Sequence, residues 1–383
     1  MQKTFLFFSA QYLPTAGGVE RYTNNLAKKL ISHGHRVIVV TSALKGWPDS
    51  ETDADGIETI RFPVYPFMNG RLPLLRMNST FRRLEKKLWQ QKIDYCVINT
   101  YFYPLSMYAA NQISRRGITS LIINHGSAWL MTGSRLLELA GQIYERTAVK
   151  ICYHSCKRFY GVSSAAEHWM DTFSVKTSGT ITNAIDPDDV IHEVTSQLDW
   201  RGKFSLPETA KIIAFVGRMI PEKGVDHMIS AMESIRQAHP DAYLLMAGSG
   251  PLLEKYQSAA PKGVILLGNQ PYPDVLALLK QADLFCLPTR SEGFACTVLE
   301  AAALGCPIIT TATGGSAQLL VDSRYGILIE DMEADTISRA CIHALNDPGW
   351  RHTAAALTEI RLRENYTWDA AVTQLYQAFN LQV

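Results

Sequence analysis

The sequence predicts an α/β protein made of two doubly wound domains, each a parallel sheet covered by helices. Short apolar runs alternate with amphipathic helical patterns along the whole chain, which is typical of parallel strands joined by right-handed helical crossovers. The length of 383 residues and the apolar share of 47% suffice for two hydrophobic cores. Charge also divides the chain: residues 1–185 carry 22 Lys+Arg and 12 Asp+Glu (net +10), and residues 186–383 carry 15 and 24 (net −9).

Eleven apolar runs have the character of buried strands. In the first half they are residues 4–9, 36–41, 95–99, 119–124 and 159–162; in the second half they are 211–216, 242–247, 263–267, 283–287, 307–311 and 326–329. We place the change of domain near Asp186-Pro-Asp-Asp189, which predicts a turn and a helix start. Tyr366-Thr-Trp-Asp-Ala370 predicts the start of a last helix with Thr367 as its N-cap. In such sheets, ligands bind at the carboxyl ends of the strands.

Two glutamates follow the run 283–287, in Glu292-Gly-Phe-Ala-Cys-Thr-Val-Leu-Glu300. A helical pattern begins near Ala295, so Glu292 falls in a strand-end loop and Glu300 inside the next helix. Backbone N–H groups at a helix N-terminus can receive an anion; here the candidates belong to Phe294, Ala295, Cys296, Thr297 and Val298. This arrangement can hold a hydroxyl-rich group beside a phosphate. The alternative interpretation is a surface loop acid and an ordinary helical glutamate.

Three further motifs lie at predicted strand ends. They are Gly17-Gly18 at the start of an amphipathic helix, the pair Arg218 and Lys223, and Gly248-Ser-Gly250. A helix N-terminus favours anions, and glycines let a ligand approach the backbone closely. The two cations lie five residues apart across a proline turn, without an obvious acidic partner, and can converge on a phosphate. All four strand-end motifs therefore indicate phosphate and hydroxyl chemistry.

With these motifs the chain resembles the retaining glycosyltransferases of family 4 ("group 1"), which have the GT-B fold. The resemblance rests on Gly17-Gly-Val-Glu20, Thr182-Asn-Ala-Ile-Asp186, Gly217-Arg-Met-Ile-Pro-Glu-Lys-Gly224, and Glu292 with Glu300 at the spacing E-x7-E. The motifs follow the family's order and cover nearly the whole chain. Ala184 departs from the pattern, because the family usually has Gly there, and this puts the role of Asn183 in question.

The resemblance implies two Rossmann-like domains that face each other across a cleft. Residues 1–185 would form the acceptor-side domain, residues 186–365 would bind a nucleotide-diphosphate sugar, and the helix 366–383 would cross back to the first domain. A UDP-sugar is favoured as the donor, and GDP-mannose stays open. The acceptor would be a lipid-linked or other saccharide, and we expect no nucleic-acid partner.

The resemblance also implies roles for the site residues. Arg218 and Lys223 would neutralise the departing diphosphate, which Gly17 and Gly18 would approach from the other domain. Glu292 would hold the donor sugar, Glu300 the ribose, and His125, in Asn124-His-Gly126, would lie near the sugar. Backbone near Gly268 and in the Gly248-Ser-Gly250 turn would contact the base.

We expect neither a metal nor another cofactor. A double displacement needs a carboxylate nucleophile, and no acid lies near His125 in the sequence, so a front-side route with retention fits better. Asp53-Ala-Asp55 has a D-x-D form but precedes Gly56 in a polar loop, which indicates a hairpin turn. In Cys152-Tyr-His-Ser-Cys156, a helix would direct His154 away from the two cysteines. The seven cysteines lack framework spacing, which suits a reducing compartment.

Residues 64–92 predict either a membrane-contacting surface or a helix with one face on the core. Their basic residues are Arg71, Arg76, Arg82, Arg83, Lys86, Lys87 and Lys92, against Glu85 alone, and they are interleaved with Phe67, Met68, Leu72, Leu74, Leu75, Phe81, Leu88 and Trp89. Such a mixture can bind anionic head groups. No apolar run reaches the length of a spanning helix, and the first ten residues indicate a buried strand rather than a signal peptide. We therefore expect a cytoplasmic enzyme that attaches peripherally to the membrane.

Two other classes of protein remain as alternatives. An NAD-dependent oxidoreductase shares doubly wound domains, but no G-x-G-x-x-G follows the first strand. A catalytically silent sugar-nucleotide-binding subunit could have the same fold, and hydrolysis of the donor would distinguish it.

Overall fold

The computed structural model describes residues 1–15, 17–43, 46–68, 70–129, 135–195, 198–258 and 260–381. The chain forms two compact units. The first unit is Met1–Asn183 with Trp368–Val383, and the second unit is Ala184–Thr367. The chain thus passes between units after Asn183 and after Thr367, whereas the sequence predicts these points after residues 185 and 365.

The first unit is built around a seven-stranded sheet. Its elements are β1 (Thr4–Ser9), α1 (Gly18–Ser32), β2 (Arg36–Ser42), β3 (Ser50–Thr52), β4 (Glu58–Phe62), β5 (Val64–Phe67), β6 (Leu72–Leu75), α2 (Ser79–Trp89), β7 (Tyr95–Asn99), α3 (Pro104–Arg116), β8 (Thr119–Asn124), α4 (Arg135–Ser155), β9 (Phe159–Gly161) and α5 (Ser164–Asp171).

The strand order in this sheet is β3-β4-β2-β1-β7-β8-β9. All neighbours are parallel except β3 and β4. The central strand β1 is apolar and buried from Phe5 to Phe8, as expected for a parallel strand covered on both faces. From β1 the chain continues to β2 on one side of the sheet. From β7, the neighbour of β1 on the other side, it continues to β8 in the opposite direction. The carboxyl ends of β1 and β7 therefore form a topological switch point, where ligands bind in such sheets.

The second unit has a six-stranded parallel sheet. Its elements are α6 (Pro187–Glu193), α7 (Trp200–Lys203), β10 (Lys211–Val216), α8 (Val225–Ala238), β11 (Ala242–Ala247), α9 (Pro251–Gln257), β12 (Val264–Gly268), α10 (Tyr272–Gln281), β13 (Leu284–Leu287), α11 (Cys296–Ala303), β14 (Ile308–Thr311), α12 (Ser316–Leu319), β15 (Ile327–Ile329), α13 (Ala334–Asn346) and α14 (Pro348–Asn365). The order β12-β11-β10-β13-β14-β15 places a second switch point between β10 and β13.

The last helix, α15 (Trp368–Ala378), belongs to the first unit. It packs against α1 through an apolar face that includes Ala371, Val372 and Leu375. The helix begins directly after Thr367, as the sequence predicts. Asp186 caps α6, since its side chain accepts hydrogen bonds from the backbone of Asp188 and Asp189 at 3.1 and 3.2 Å, which confirms the predicted helix start.

Four short strands, β3 to β6, are absent from the list of predicted apolar runs. Strand β4 mixes charged and apolar residues, yet it occupies an interior position of the first sheet beside β2. Asp53 lies in the turn between β3 and β4, where its side chain accepts from the backbone of Asp55 and Ile57 at 3.0 and 2.8 Å. The predicted hairpin turn at Asp53-Ala-Asp55 is therefore confirmed. Within the described ranges, no helix is both long and apolar enough to cross a membrane.

Candidate functional site

A charged cluster lies at the switch point of the second unit. Arg218 and Lys223 follow β10, and Glu292 lies between β13 and α11. Because β10 and β13 are neighbouring parallel strands, the loops at their carboxyl ends start from the same edge of the sheet. Lys223 and Glu292 are in direct contact there.

Lys223 is almost fully buried, with 6% of its surface exposed. Its ammonium group donates to a carboxylate oxygen of Glu292 and lies 3.2 Å from the carbonyl oxygen of Ser291 and 3.4 Å from the hydroxyl of Thr289. These partners match the three protons of an ammonium group. The expectation that Lys223 lacks an acidic partner is therefore wrong, because Glu292 contacts it from the loop that follows the neighbouring strand β13.

Arg218 differs from Lys223 in its surroundings. Its side chain is exposed, and among the described residues no carboxylate lies within ion-pair distance of it. Its loop is fixed by the backbone, since the amides of Gly217 and Met219 donate to Ala247 and Ser249 at 3.0 and 2.8 Å. The exposed guanidinium thus stands on a rigid loop, where it can meet an anion.

Gly248 and Gly250 support this loop. Both have positive φ, and a Cβ atom at Gly248 would lie 1.8 Å from the carbonyl oxygen of Gly217. At Gly250 it would lie 2.5 Å from the carbonyl oxygen of Met219. The protein's own backbone therefore fills the space where a side chain would lie, which accounts for glycine at both positions. Contact of this turn with a ligand stays a prediction. Gly268 also has positive φ, and its carbonyl oxygen accepts from Gly248 at 2.8 Å.

Helix α11 begins at Cys296 after Ala295, in agreement with the sequence. The amide of Val298 already donates to the carbonyl oxygen of Ala295 at 3.1 Å, so the prediction of a free N–H group at Val298 is wrong. Glu300 is buried, and its carboxylate accepts from the hydroxyl of Tyr272 at 3.1 Å. Phe294 is buried and stacks edge-on against Tyr366, and Cys296 and Thr297 are half-buried.

Residues that follow the next strand support the segment of Glu292, and they were not predicted from the sequence. After β14, a Cβ atom at Gly314 would lie 2.6 Å from the carbonyl oxygen of Gly293, and one at Gly315 would lie 2.1 Å from the ring of Phe294. Tyr272 contacts Glu300, and Thr289 contacts Lys223, the partner of Glu292. A Gly-Gly pair after the apolar run 307–311 is a sequence signal that could have identified this support.

In the first unit, His125 lies at the end of β8 and is held by a chain of hydrogen bonds. Asn99 donates through Nδ2 to the hydroxyl of Thr23 at 2.7 Å, which leaves its oxygen Oδ1 to accept from His125 Nε2 at 3.0 Å. The proton of neutral His125 is therefore on Nε2, and Nδ1 is an acceptor. Burial lowers the pKa of His125 to about 3, so the ring is neutral at physiological pH.

Gly17 and Gly18 lie at the start of α1, at the switch point of the first unit. The space beside their Cα atoms differs. A Cβ atom at Gly17 would lie 2.2 Å from a carboxylate oxygen of Glu20, whereas one at Gly18 would have no neighbour within 4 Å. The carboxylate of Glu20 thus occupies the space where a side chain at residue 17 would lie. Approach of a diphosphate to the backbone of the two glycines stays a prediction. Both glycines line a cavity of about 340 Å³ together with Ser9, Ala10, Gln11, Val19, Glu20, Asn99, Thr100 and Tyr103.

Asn183 is buried, and its amide donates to the carbonyl oxygen of Val162 at 3.3 Å. Ala184 is also buried and is not among the residues with positive φ. The local backbone therefore accepts alanine without the strain that would require the family's usual glycine.

Cys152 belongs to the apolar core of the first unit, where its thiol lies 3.3 Å from the carbonyl oxygen of Tyr101. Across the described ranges, no group of three or more His, Cys, Asp or Glu side chains is arranged to hold a metal ion.

Segment 64–92 divides into two parts. Helix α2 buries Phe81, Leu84 and Leu88 on the core, so for this helix the interpretation with one face on the core is correct. Preceding it, β5 and β6 form an antiparallel hairpin. The exposed large apolar side chains of the segment lie in and directly after this hairpin: Tyr65, Phe67, Met68, Leu74 and Met77.

Comparison with known proteins identifies the family. The model "Glycosyltransferase Family 4" matches residues 16–189, and "Glycosyl transferases group 1" matches residues 196–360. A Corynebacterium glutamicum protein is 25% identical over 95% of this chain and 94% of its own length; it is named a GDP-mannose-dependent monoacylated alpha-(1-6)-phosphatidylinositol monomannoside mannosyltransferase.

Two solved structures share the fold. Sucrose-phosphate synthase (tll1590) from Thermosynechococcus elongatus superimposes with a TM-score of 0.75 at 20% identity, covering 99% of this chain and 98% of that one. Anabaena Alr3699/HepE in complex with UDP-glucose gives 0.73 at 16% identity, covering 98% and 99%. The chain belongs to glycosyltransferase family 4 and is a glycosyltransferase with the GT-B fold.

Proposed function

We propose that the protein is a retaining, metal-independent glycosyltransferase that moves a sugar from a nucleotide-diphosphate sugar to a lipid-linked or other saccharide acceptor. The proposal rests above all on the cluster at the switch point of the second unit. There, the exposed Arg218 accompanies the buried Lys223 and its half-buried partner Glu292. When a diphosphate leaves the sugar, a nearby cation stabilises the negative charge on the departing oxygen. The hydroxyl groups of the sugar need side chains that accept their hydrogen bonds.

Arg218 carries most of the leaving-group stabilisation in this proposal. When the bond between the anomeric carbon and the phosphate oxygen breaks, its electron pair remains on the diphosphate. Lys223 is already compensated by Glu292, so their combined charge is close to zero. The exposed Arg218 can form two parallel hydrogen bonds with phosphate oxygens.

The two glutamates bind hydroxyl groups. The carboxylate of Glu292 is fixed by Lys223, while 23% of its side chain stays exposed, so it can accept from the donor sugar. Glu300 is held by Tyr272 on the first turns of α11, and we assign it to the ribose. Lys223 thereby positions Glu292 rather than binding the diphosphate directly.

The reaction follows a front-side route in this proposal. The acceptor oxygen bonds to the anomeric carbon on the face that the phosphate leaves, and the acceptor's hydroxyl proton passes to the departing phosphate oxygen. His125 contributes no proton, since its pKa of about 3 keeps it neutral. Its free Nδ1 instead accepts a hydrogen bond from a substrate hydroxyl.

The hairpin of β5 and β6 supports the proposal of a lipid-linked acceptor. A second cavity of about 320 Å³ adjoins this hairpin and is lined by Val64, Pro66, Arg71 and Pro73 among others. It shares Ala10 and Gln11 with the first cavity. An amphipathic, lipid-linked acceptor suits a cavity of mixed polarity that shares part of its wall with a cavity beside this hairpin, whose apolar side chains are exposed. Peripheral attachment to an anionic membrane is part of the same proposal, and the exposed apolar side chains of this hairpin support it.

The donor is identified by a thermal-shift panel of UDP, GDP, ADP, UDP-glucose and GDP-mannose, measured in EDTA. The relative from C. glutamicum is GDP-mannose-dependent by name, whereas the Anabaena structure contains UDP-glucose, so the panel decides between the two bases. A true donor at 100 times its dissociation constant stabilises by about 2.7 kcal/mol. Stabilisation by no nucleotide, or only after Mg²⁺ or Mn²⁺ is added, would contradict the proposal.

The stereochemical part needs its own experiment. Proton NMR of the sugar during transfer reports the anomeric coupling constant of the product. The proposal predicts the anomer of the donor, and the opposite anomer would reject the front-side route. Binding of a donor without hydrolysis or transfer would instead favour the catalytically silent subunit.

A further inference from the structure

Helix α4 exposes apolar side chains along its N-terminal half. Leu136, Leu139 and Ile143 are 81%, 56% and 60% exposed, and their intervals of three and four residues place them on one side of the helix. The helix contacts the core of the first unit further along, through Val149 and Cys152. The three exposed residues, called the α4 stripe below, are therefore left facing solvent.

Exposed apolar side chains are unevenly distributed over the molecule. In the part of the chain that the structure describes, the first unit exposes five large ones in α4 and five in or directly after the hairpin of β5 and β6. The second unit exposes three, which lie far apart in the sequence: Ile191, Val321 and Ile360. Single exposed apolar residues are ordinary, whereas a cluster of them indicates contact with a protein or a membrane.

The two clusters adjoin the same helix of the first unit. Leu88 of α2, Ala109 of α3 and Val149 of α4 share one core cluster, so these three helices cover the same face of the sheet. Helix α3 packs against α4 and also against β6 of the hairpin. The α4 stripe and the hairpin therefore belong to elements that flank α3, which is the arrangement expected for two contacts with one extended surface.

The charges of the first unit favour a lipid surface over a second copy of the chain. Residues 1–185 carry net +10, so two first units would repel each other, whereas anionic lipid would attract either one. The two carboxylates of α4 are half-buried, and that of Glu145 accepts from the hydroxyl of Tyr101. In residues 135–141 every side chain or glycine except Glu138 is exposed, so this part of the helix is convex and forms no groove for a peptide.

We propose that the N-terminal half of α4 inserts the α4 stripe into an anionic membrane, at the boundary between head groups and acyl chains. The inference rests on the proposed attachment to the membrane and names the element that supplies its apolar contact. The cations of segment 64–92 supply the electrostatic attraction. One weak signal gives only marginal, reversible binding to a membrane, whereas two signals together give stable attachment.

Flotation with vesicles of phosphatidylcholine and phosphatidylglycerol in equal amounts tests the inference. Leu136→Ser, Leu139→Ser and Ile143→Ser combined should bind about tenfold more weakly than wild type, because the apolar contact is lost while the charge is unchanged. The matched control changes three exposed aliphatic residues of the second unit to Ser and should float like wild type: Ile191, Val321 and Ile360. All the substituted side chains are exposed, so both variants should fold, and melting curves verify this.

Insertion is measured directly with brominated lipid. Leu139→Trp adds a fluorophore to the α4 stripe, and Ile360→Trp adds one at a similarly exposed position of the second unit. Brominated acyl chains should quench Leu139→Trp more strongly than wild type, whose seven tryptophans give the background. Ile360→Trp should be quenched no more than wild type.

The possible outcomes are distinct. Equal vesicle binding by wild type and the triple serine variant, or no additional quenching in Leu139→Trp, would overturn the inference. A wild-type dimer in gel filtration that the serine variant dissociates would assign the α4 stripe to a second copy of the chain, which would also overturn it. Failure of the proposed transferase function would differ from both, since no nucleotide would then stabilise wild type, whatever the vesicles showed.

Discussion

Individual charged residues at the end of β10 have different energetic roles. Lys223 is buried and neutralised by Glu292, whereas Arg218 is exposed and has no carboxylate within ion-pair distance among the described residues. Removing one member of a buried pair leaves the other uncompensated, and removing both can be nearly neutral. Stability measurements therefore distinguish the two cations.

Lys223→Met should lower the free energy of unfolding by about 2 kcal/mol, because Glu292 stays behind without its partner; the loss is limited by the partial exposure of Glu292. The double variant Lys223→Met with Glu292→Gln should recover most of the lost free energy of unfolding. Arg218→Met, the matched control, should unfold like wild type. Urea denaturation measures all three, and equal midpoints for Lys223→Met and Arg218→Met would contradict the assigned roles.

Residue types and spacings made much of the candidate site visible in the sequence. Glu292, Glu300 and Arg218 were identified because they follow apolar strands at spacings that a family pattern shares. The ion pair between Lys223 and Glu292 could not be predicted from the sequence, because the two residues are 69 positions apart and meet only through the pairing of β10 with β13. The occupant of the space at Gly17 was likewise hidden, because only the side-chain geometry of Glu20 shows it.

At the scale of elements, close backbone contacts fix the loops that carry the site. The clearest contact joins the loop after β11 to the loop after β10, where Gly248 faces Gly217. The sequence predicted these elements well where strands were apolar runs. It missed β4 because glutamate and arginine interrupt that strand, although its neighbours in the sheet bury it.

Gly248→Ala should destabilise the protein by more than about 2 kcal/mol, because the new Cβ atom would overlap the carbonyl oxygen of Gly217 at a φ of 142°. Gly18→Ala has open space around the new atom and should stay within about 0.5 kcal/mol of wild type. Thermal unfolding compares them. Similar melting temperatures would disprove the proposed backbone contact.

The last helix is fastened to the first unit by two histidines. His35 Nδ1 accepts from the amide of Lys3 at 3.2 Å, so neutral His35 donates from Nε2 to the hydroxyl of Tyr376 at 2.8 Å. That hydroxyl can then donate to His33 Nδ1 at 3.2 Å, and His33 Nε2 reaches Asp369 at 3.3 Å. Tyr376 and Asp369 belong to α15, so these bonds tie the helix to the segment after α1.

Acid should weaken this fastening. Burial, with His33 close by, lowers the pKa of His35 below its ordinary value of 6.5. The stabilisation from neutral His35 is therefore complete above about pH 6.5 and is lost as the pH falls through the lower folded-state value, by at most about 1.4 kcal/mol per pH unit. His35→Gln should be less stable at pH 7.5 but less sensitive to pH. Parallel melting curves for both proteins between pH 5 and 7.5 would refute this explanation.

At the scale of the whole molecule, charge is distributed unequally, with net +10 in residues 1–185 and −9 in residues 186–383. The exposed apolar hairpin of β5 and β6 lies in the basic half. Some basic residues of segment 64–92 are already paired, as Arg83 is with Asp49 at 2.6 Å. Arg71, Arg82 and Lys86 are exposed, and no carboxylate lies within ion-pair distance of them in the described part of the chain. These three are the candidates for contact with anionic lipid.

Arg71→Gln, Arg82→Gln and Lys86→Gln combined should abolish flotation with anionic vesicles at low salt, since each cation contributes about 1 kcal/mol near such a surface. The control variant changes Arg115, Lys150 and Lys176, three exposed basic residues elsewhere in the first unit, to Gln and loses the same charge. It should float like wild type. Equal flotation of all three proteins, or of wild type with neutral and anionic vesicles, would exclude a specific lipid-binding surface.

The role of Arg218 in a nucleotide-sugar transferase can be measured as release of nucleoside diphosphate from UDP-glucose and GDP-mannose in EDTA, by wild type and by Arg218→Ala. We expect wild type to release nucleoside diphosphate from the donor of one of the two bases. The rate should fall roughly ten- to a hundredfold in Arg218→Ala, in line with about 1.5–3 kcal/mol for a charge-assisted phosphate contact. No release from either donor by wild type, or equal rates in the two proteins, would show that the cluster after β10 does not act on a nucleotide-diphosphate sugar.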